Sequence, residues 1–238
     1  MSNSPVILWF RRDLRLTDHP ALHRALSCGS VLPLFIVDPA FQGAGGPRQA
    51  ALFSALEGLR TATDGALAIR HGKPAQVLVE IAGSLGAKEV HVSRDYGPYG
   101  HARDAEVAAA LREIGCRLIG TGSNYLVPPG GVLKDDGTPY AVFTPFRRRW
   151  KSVLSASESL LLDAPVDPNW VTLDSGGEAL LRPESGLADD RLVNLSVDAV
   201  LHRWQSFSQG ALHEYADLRD IPAVDGTSRL STALRFGA

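Results

Sequence analysis

A doubly wound α/β fold, built on one five-stranded parallel sheet, is what this sequence predicts, and three observations predict it. Short apolar runs alternate with helix-length segments over the first half of the chain. The runs are nearly continuous in apolar residues, as strands covered on both faces require, and proline or capping residues stand where the helices should begin.

Taken in order, "PVILWF" (Pro5 to Phe10) is the first strand, and Asp18 to Ser27 follows as a helix with Thr17 or Asp18 as its N-cap. "VLPLFIVD" (Val31 to Asp38) is the second strand, and a helix runs from Pro47 to Thr63. "LAIRHG" (Leu67 to Gly72), a helix from Pro74 to Leu85, "KEVHVS" (Lys88 to Ser93), a helix from His101 to Ile114 and "CRLIGT" (Cys116 to Thr121) complete a Rossmann-like unit over residues 1–130. Pro47 and Pro74 suit first-turn positions, where a missing N–H costs nothing. Residues 131–195, where the pattern dissolves into Ser, Asp, Pro and Gly after Trp150, read as an interdomain linker. Within it "RRRWK" (Arg147 to Lys151) reads as the solvated face of a helix with Phe146 and Trp150 turned inward, and is assigned no site.

A helical period returns at Ser196. Val197, Val200, Leu201, Trp204, Phe207, Leu212, Tyr215 and Leu218 fall mostly at one-face spacing, so 196–238 is the start of an all-α domain, too short to bury a core of its own. Trp9 and Trp204 are expected in cores.

Composition sets the outer bounds. With 45% hydrophobic and 21% charged residues the chain is of ordinary soluble type, and a net charge of −2 means that any nucleic-acid contact must be local. The longest apolar run, "VLPLFIV", is far short of a membrane span, and the N-terminus lacks the basic region of a secretion signal. Two cysteines, Cys28 and Cys116, without metal-ligand spacing, point to a cytoplasmic protein with structural thiols.

The first strand ends in "WFRRDLRLTDHPAL", at the sheet edge where open α/β folds bind ligands. It has no G-x-G-x-x-G, and its arginines and aspartate read first as an ion-pair knot holding the turn and its neighbours together. Near the other end, Asp225-Gly226 is a turn pair, and Thr227-Ser228 can cap a helix through "RLSTALRF". A helix start offers unpaired N–H groups and the positive end of a dipole, which suit a phosphate.

Three separated segments then carry a resemblance. The opening stretch resembles the W-F-R-x-D-L-R-L-x-D signature of the DNA photolyase/cryptochrome family. Asn124 to Trp150 is similar to that family's crossing into the linker, with its G-x-P-Y-x-V-F-T-P-F core, and Tyr215 to Gly237 resembles the start of its flavin-binding domain. What the resemblance implies is a DNA photolyase acting on cyclobutane pyrimidine dimers in damaged DNA, by electron transfer from reduced FAD to a lesion flipped out of the duplex. Thr227, Ser228, Arg229, Leu230 and Ser231 match the family's T-S-x-L-S cradle for the FAD pyrophosphate, Tyr215 its flavin-contacting tyrosine, and Arg219 an arginine at its DNA-facing rim.

The resemblance also sets limits. No segment matches the family's lesion pocket or its tryptophan relay, so no catalytic residue and no metal ligand is assigned. This portion alone is expected to be inactive and to bind FAD poorly, and a monomer without membrane attachment is expected. A second, antenna chromophore is common in the family. Tyr99-Gly100 stands where folate-binding members place Asn-Glu, so folate is not the expected one, and Thr232 replaces a frequent proline. Two alternatives remain: a cryptochrome-type blue-light photoreceptor, and a free-standing α/β nucleotide-binding domain, against which the tail from Ser196 counts.

Overall fold

The computed structural model describes residues 4–41, 43, 45–156, 161–173 and 194–238; most of the Ser- and Gly-rich part of the expected linker, 174–193, lies outside them. Five parallel strands form the sheet: β1 (Val6–Phe10), β2 (Val31–Val37), β3 (Ala68–His71), β4 (Glu89–Arg94) and β5 (Arg117–Ser123), in the order β3-β2-β1-β4-β5. The expected doubly wound α/β sheet is thus borne out. The chain winds outward from β1 to β3, then crosses to β4 on β1's other side, which places the topological switch point between β1 and β4.

The helices α1 (Pro20–Leu26), α2 (Gly46–Ala62), α3 (Pro74–Leu85) and α4 (Pro98–Glu113) cover the two faces. Residues of α1 and α2 bury Leu8, Phe10 and Phe35 on one face, while α3 and α4 bury Ile7, Trp9, Leu34 and Val92 on the other. Alternate residues of each central strand thus enter opposite cores, which is why these strands carry no polar period.

Two helix starts differ from expectation. The N-cap of α1 is His19, not Thr17 or Asp18: its side chain accepts a hydrogen bond from the Leu22 amide. Pro20 at the first helical position disfavours helical backbone for the residue before it, so the cap falls on His19, and Asp18 adopts a left-handed conformation (φ +46°). Helix α4 begins at Pro98 instead of His101, by the same first-turn rule that Pro47 and Pro74 follow.

The span read as linker also holds structure. Helix α5 (Phe143–Ala156) lies within it, with Arg147, Arg148 and Arg149 exposed and Phe146 and Trp150 half-buried. Further on, Trp170 bridges Val31 in parallel, held by Val31 N–H to Asn169 O (2.9 Å) and Val171 N–H to Val31 O (2.8 Å). β3 pairs with β2 only from Leu34 onward, so residues 169–171 fill the edge that β3 leaves open.

Helices α6 (Val197–Gln209), α7 (Tyr215–Leu218) and α8 (Ser231–Phe236) follow. The period expected to run on to Leu218 breaks at Gly210, after which turns lead into α7. Leu195 and Ala233 join the core beneath α2, and the Leu195 amide donates to Ser54 Oγ (2.9 Å). This segment is therefore anchored on the sheet unit. Trp204, expected in a core, is 43% exposed; Phe207, one turn on, is the aromatic that α6 buries.

Candidate functional site

Two regions hold the residues singled out above, and α8 joins them. At the carboxyl end of β1, the Arg11 guanidinium pairs with Asp104 of α4 and donates to the Ser93 carbonyl of β4. Arg103 pairs with Asp95 (3.4 Å) and Asp104 (2.9 Å), and both guanidiniums lie over the Trp9 ring, at 4.8 and 5.0 Å from its centroid. Such stacking of a planar cation on an aromatic face adds to the ion pairing.

Asp13 is buried beside them. One carboxylate oxygen accepts from the Arg11 amide (2.9 Å), and the other lies 3.1 Å from His19 Nε2. Because His19 Nδ1 is the acceptor for Leu22, the ring proton belongs on Nε2, facing Asp13. Burial by itself would raise the Asp13 carboxyl, but His19, Ser93 and the Arg11 amide outweigh it and hold it well below the usual carboxylate range. The charged turn is thus a knot that ties β1, β4, α1 and α4 at the switch point.

The same turn is a seat. Leu14 N–H donates to Phe236 O (3.0 Å), Arg15 Nη1 donates to Gly237 O (3.1 Å), and Gly237, in the left-handed conformation (φ +68°), lies so close to Arg12 that a Cβ would overlap the Arg12 carbonyl oxygen. The run after β1 is therefore built to receive the C-cap of α8. Beside it lies a shallow cleft of about 140 Å³ lined by Arg11, Asp13, Ser93, Asp95, Asn124 and Leu234. That is below the roughly 300 Å³ of small-ligand pockets, and it weighs against the free-standing nucleotide-binding reading.

The second region is the loop from Asp225 to Leu230. Arg203 of α6 grips Asp225 with two parallel bonds (2.7 and 2.8 Å) and also donates to the carbonyls of Thr227 (2.9 Å) and Ser228 (3.0 Å). Two carbonyls are thereby turned toward α6. The amides of Thr227, Ser228, Arg229 and Ser231 donate to no protein acceptor among the described residues. Thr227 and Ser228 do not cap α8, however. Arg229 is left-handed (φ +53°), which no α-helix admits, so Leu230 takes the cap position with no side-chain cap bond.

Arg229 is exposed and pairs with Asp225 (3.0 Å); Ser231 is exposed, while Thr227, Ser228 and Leu230 are half-buried. Tyr215 opens α7, 41% exposed and edge-on to Phe207, with the Arg219 guanidinium 5.9 Å from its ring centroid. Arg219 is itself exposed and pairs with Asp220 at 3.3 Å. Gly226 connects the two groups, because it packs so closely on Leu218, the last residue of α7, that a Cβ would lie 2.6 Å from Leu218 Cβ. Neither Arg203 nor His19 stands out in the sequence as a site residue. An arginine on the polar side of a helix carries no signal for a partner 22 positions on, whereas the His-Pro pair ahead of α1 did mark a cap.

At the switch point of the parallel five-stranded sheet, the arginine-aspartate knot seats a helical unit that presents a donor-rich loop. The DNA photolyase family model matches residues 6–167. A protein of Synechococcus sp. described as an uncharacterized 31.6 kDa protein is 33% identical, over 97% of this chain and 84% of its own length. A deoxyribodipyrimidine photo-lyase of Thermus thermophilus is 34% identical over 98% of this chain and 52% of its own. The crystal structure of a bacterial class III photolyase from Agrobacterium tumefaciens superposes with a TM-score of 0.83 at 28% identity, covering all of this chain and 51% of that one. The chain belongs to the DNA photolyase family. It spans about half the length of the photo-lyases it matches.

Proposed function

We propose that this chain supplies the antenna-side framework and the first wall of the FAD site of a photolyase that repairs cyclobutane pyrimidine dimers. The observation that carries the reading is the polarity of the loop at 225–231. Arg203 engages its carbonyls, and the amides of Thr227, Ser228, Arg229 and Ser231 are left without protein acceptors. Successive outward N–H groups with adjacent hydroxyls are the donor set a pyrophosphate requires, so these residues fit the cofactor that the family motif implies. When bound and reduced, the flavin supplies light-driven electron donation to the dimer.

This chain's own part is positional. Thr227, Ser228, Arg229, Leu230 and Ser231 form the phosphate wall, Tyr215 lies at its flank through the Gly226–Leu218 contact, and Arg219 stands at the surface for a DNA phosphate, its pair with Asp220 being exposed and weak. Gly100 bears on the antenna. The Asp95 carboxylate occupies the space a Cβ there would need, so a glutamate at 100 displaces the partner of Arg103, which supports an antenna other than folate.

Equilibrium titration with FAD, ADP and riboflavin tests the reading. FAD and ADP should compete for one weak, salt-sensitive site, riboflavin should not, and Arg203→Ala should weaken FAD binding about tenfold or more by freeing the loop. Equal affinity for riboflavin and FAD, or an Arg203→Ala chain that binds FAD as the parent does, would overturn it.

A further inference from the structure

The end of the sheet away from this site brings together three side chains of metal-ligand type. Cys28 lies just past the last turn of α1, and Glu89 and His91, two residues apart on β4, face α1 from one side of the sheet. Their ligand atoms all lie within 4.8 Å of one another. We propose that Cys28, Glu89 and His91 bind a thiophilic divalent metal ion of the zinc class, through the Cys28 sulfur, one Glu89 carboxylate oxygen and His91 Nε2, with water as fourth ligand.

The separations suit that ion. Cys28 Sγ is 3.7 Å from Glu89 Oε2, and His91 Nε2 is 3.1 Å from the same oxygen. Metal–sulfur bonds of about 2.3 Å and metal–nitrogen or metal–oxygen bonds of about 2.0–2.1 Å at tetrahedral angles give ligand–ligand edges of roughly 3.3–3.6 Å. The cysteine edges, all within 4.8 Å, can close because Cys28 is exposed at the end of a helix.

His91 supplies the independent indication. Its side chain is wholly buried, yet neither ring nitrogen has a hydrogen-bond partner among the described residues, Nε2 lying beside Glu89 without hydrogen-bond alignment. A buried imidazole whose Nε2 sits 3.1 Å from a carboxylate oxygen out of hydrogen-bond alignment, and whose Nδ1 has no partner among the described residues, is poised as a ligand. Arg117 pairs with the other carboxylate oxygen and so leaves Oε2 turned toward the cluster. As the sulfur–metal bond forms, the Cys28 S–H bond breaks and its proton passes to buffer. Thiolate and carboxylate then balance the ion's two charges. A sulfur ligand selects zinc-class ions over magnesium or calcium.

Titrating the reduced, metal-free 238-residue chain with Co²⁺ is the test. One equivalent should produce a thiolate-to-metal charge-transfer band that Zn²⁺ abolishes, and Zn²⁺ should slow alkylation of Cys28 tenfold or more. Cys28→Ser, at an exposed position that folding tolerates, should remove the band; Glu89→Gln should weaken binding about tenfold or more; Cys116→Ser should leave the band intact. Absence of the band from the parent, or its survival in Cys28→Ser, would overturn the assignment.

Discussion

At the scale of single residues the molecule depends on a few charges held where water does not reach. Asp13 is 4% exposed, and its carboxylate serves the end of β1, the cap of α1 and Ser93 of β4 at once. Because its folded pKa is held below the unfolded value of about 3.9, its contribution is fully present above that pH and is lost as pH falls toward the folded value. Asp13→Asn should therefore cost about 1–3 kcal/mol near neutrality, since His19 keeps a buried donor with a poorer partner. The variant's stability should also fall less than the parent's between about pH 5 and pH 2. Urea unfolding across that range decides it, and an equal acid loss in both chains would place the acid-labile carboxylate elsewhere.

At the scale of elements the open question is what holds the helical segment against the sheet. α8 has six residues, too few to be stable alone, and its C-cap glycine is seated in the turn after β1. Gly237→Val puts a β-branched residue at φ +68° and a Cβ into the Arg12 carbonyl, a backbone cost of about 1–3 kcal/mol before any clash is counted. The seat should open, so that trypsin cuts first at Arg229 or Arg235 while the five-stranded core stays resistant. Cleavage at the parent's rate would mean that Leu14 and Arg15 hold α8 without the glycine.

This is also the scale at which sequence reading succeeds and fails. The central strands β1 and β2 were legible because each is apolar on both faces, and α2 and α3 because proline marks their first turns. α4 was read three residues late because Gly97 and Gly100 flank Pro98 and look like breakers, although Gly100 is glycine to admit Asp95. The start of α8 was misplaced because a left-handed arginine is invisible in sequence. Within the candidate site, the motif residues were legible as a pattern, whereas the guanidinium that orients them was not.

At the scale of the whole molecule, the helical segment buries one side and leaves the other apolar. Leu201, Trp204, Leu212 and Tyr215, on α6, α7 and the turn between them, are 41–50% exposed, more large apolar surface than scattered surface residues explain, and they belong to the segment that carries the proposed phosphate wall. Helical periodicity cannot tell an inward apolar face from one awaiting a covering element, which is why Trp204 was expected in a core. The four tryptophans give a direct measure. Trp9 is 2% exposed, Trp150 and Trp170 are half-buried, and Trp204 is 43% exposed. The parent's emission should therefore contain a red-shifted component that acrylamide quenches readily, and Trp204→Phe should remove that component while leaving the thermal transition nearly unchanged, because a half-exposed ring contributes only part of its burial energy. A blue-shifted, quencher-resistant emission in the parent, or a substantially lower melting temperature in Trp204→Phe, would show that this face is packed in solution, and the flavin wall would then have to face elsewhere.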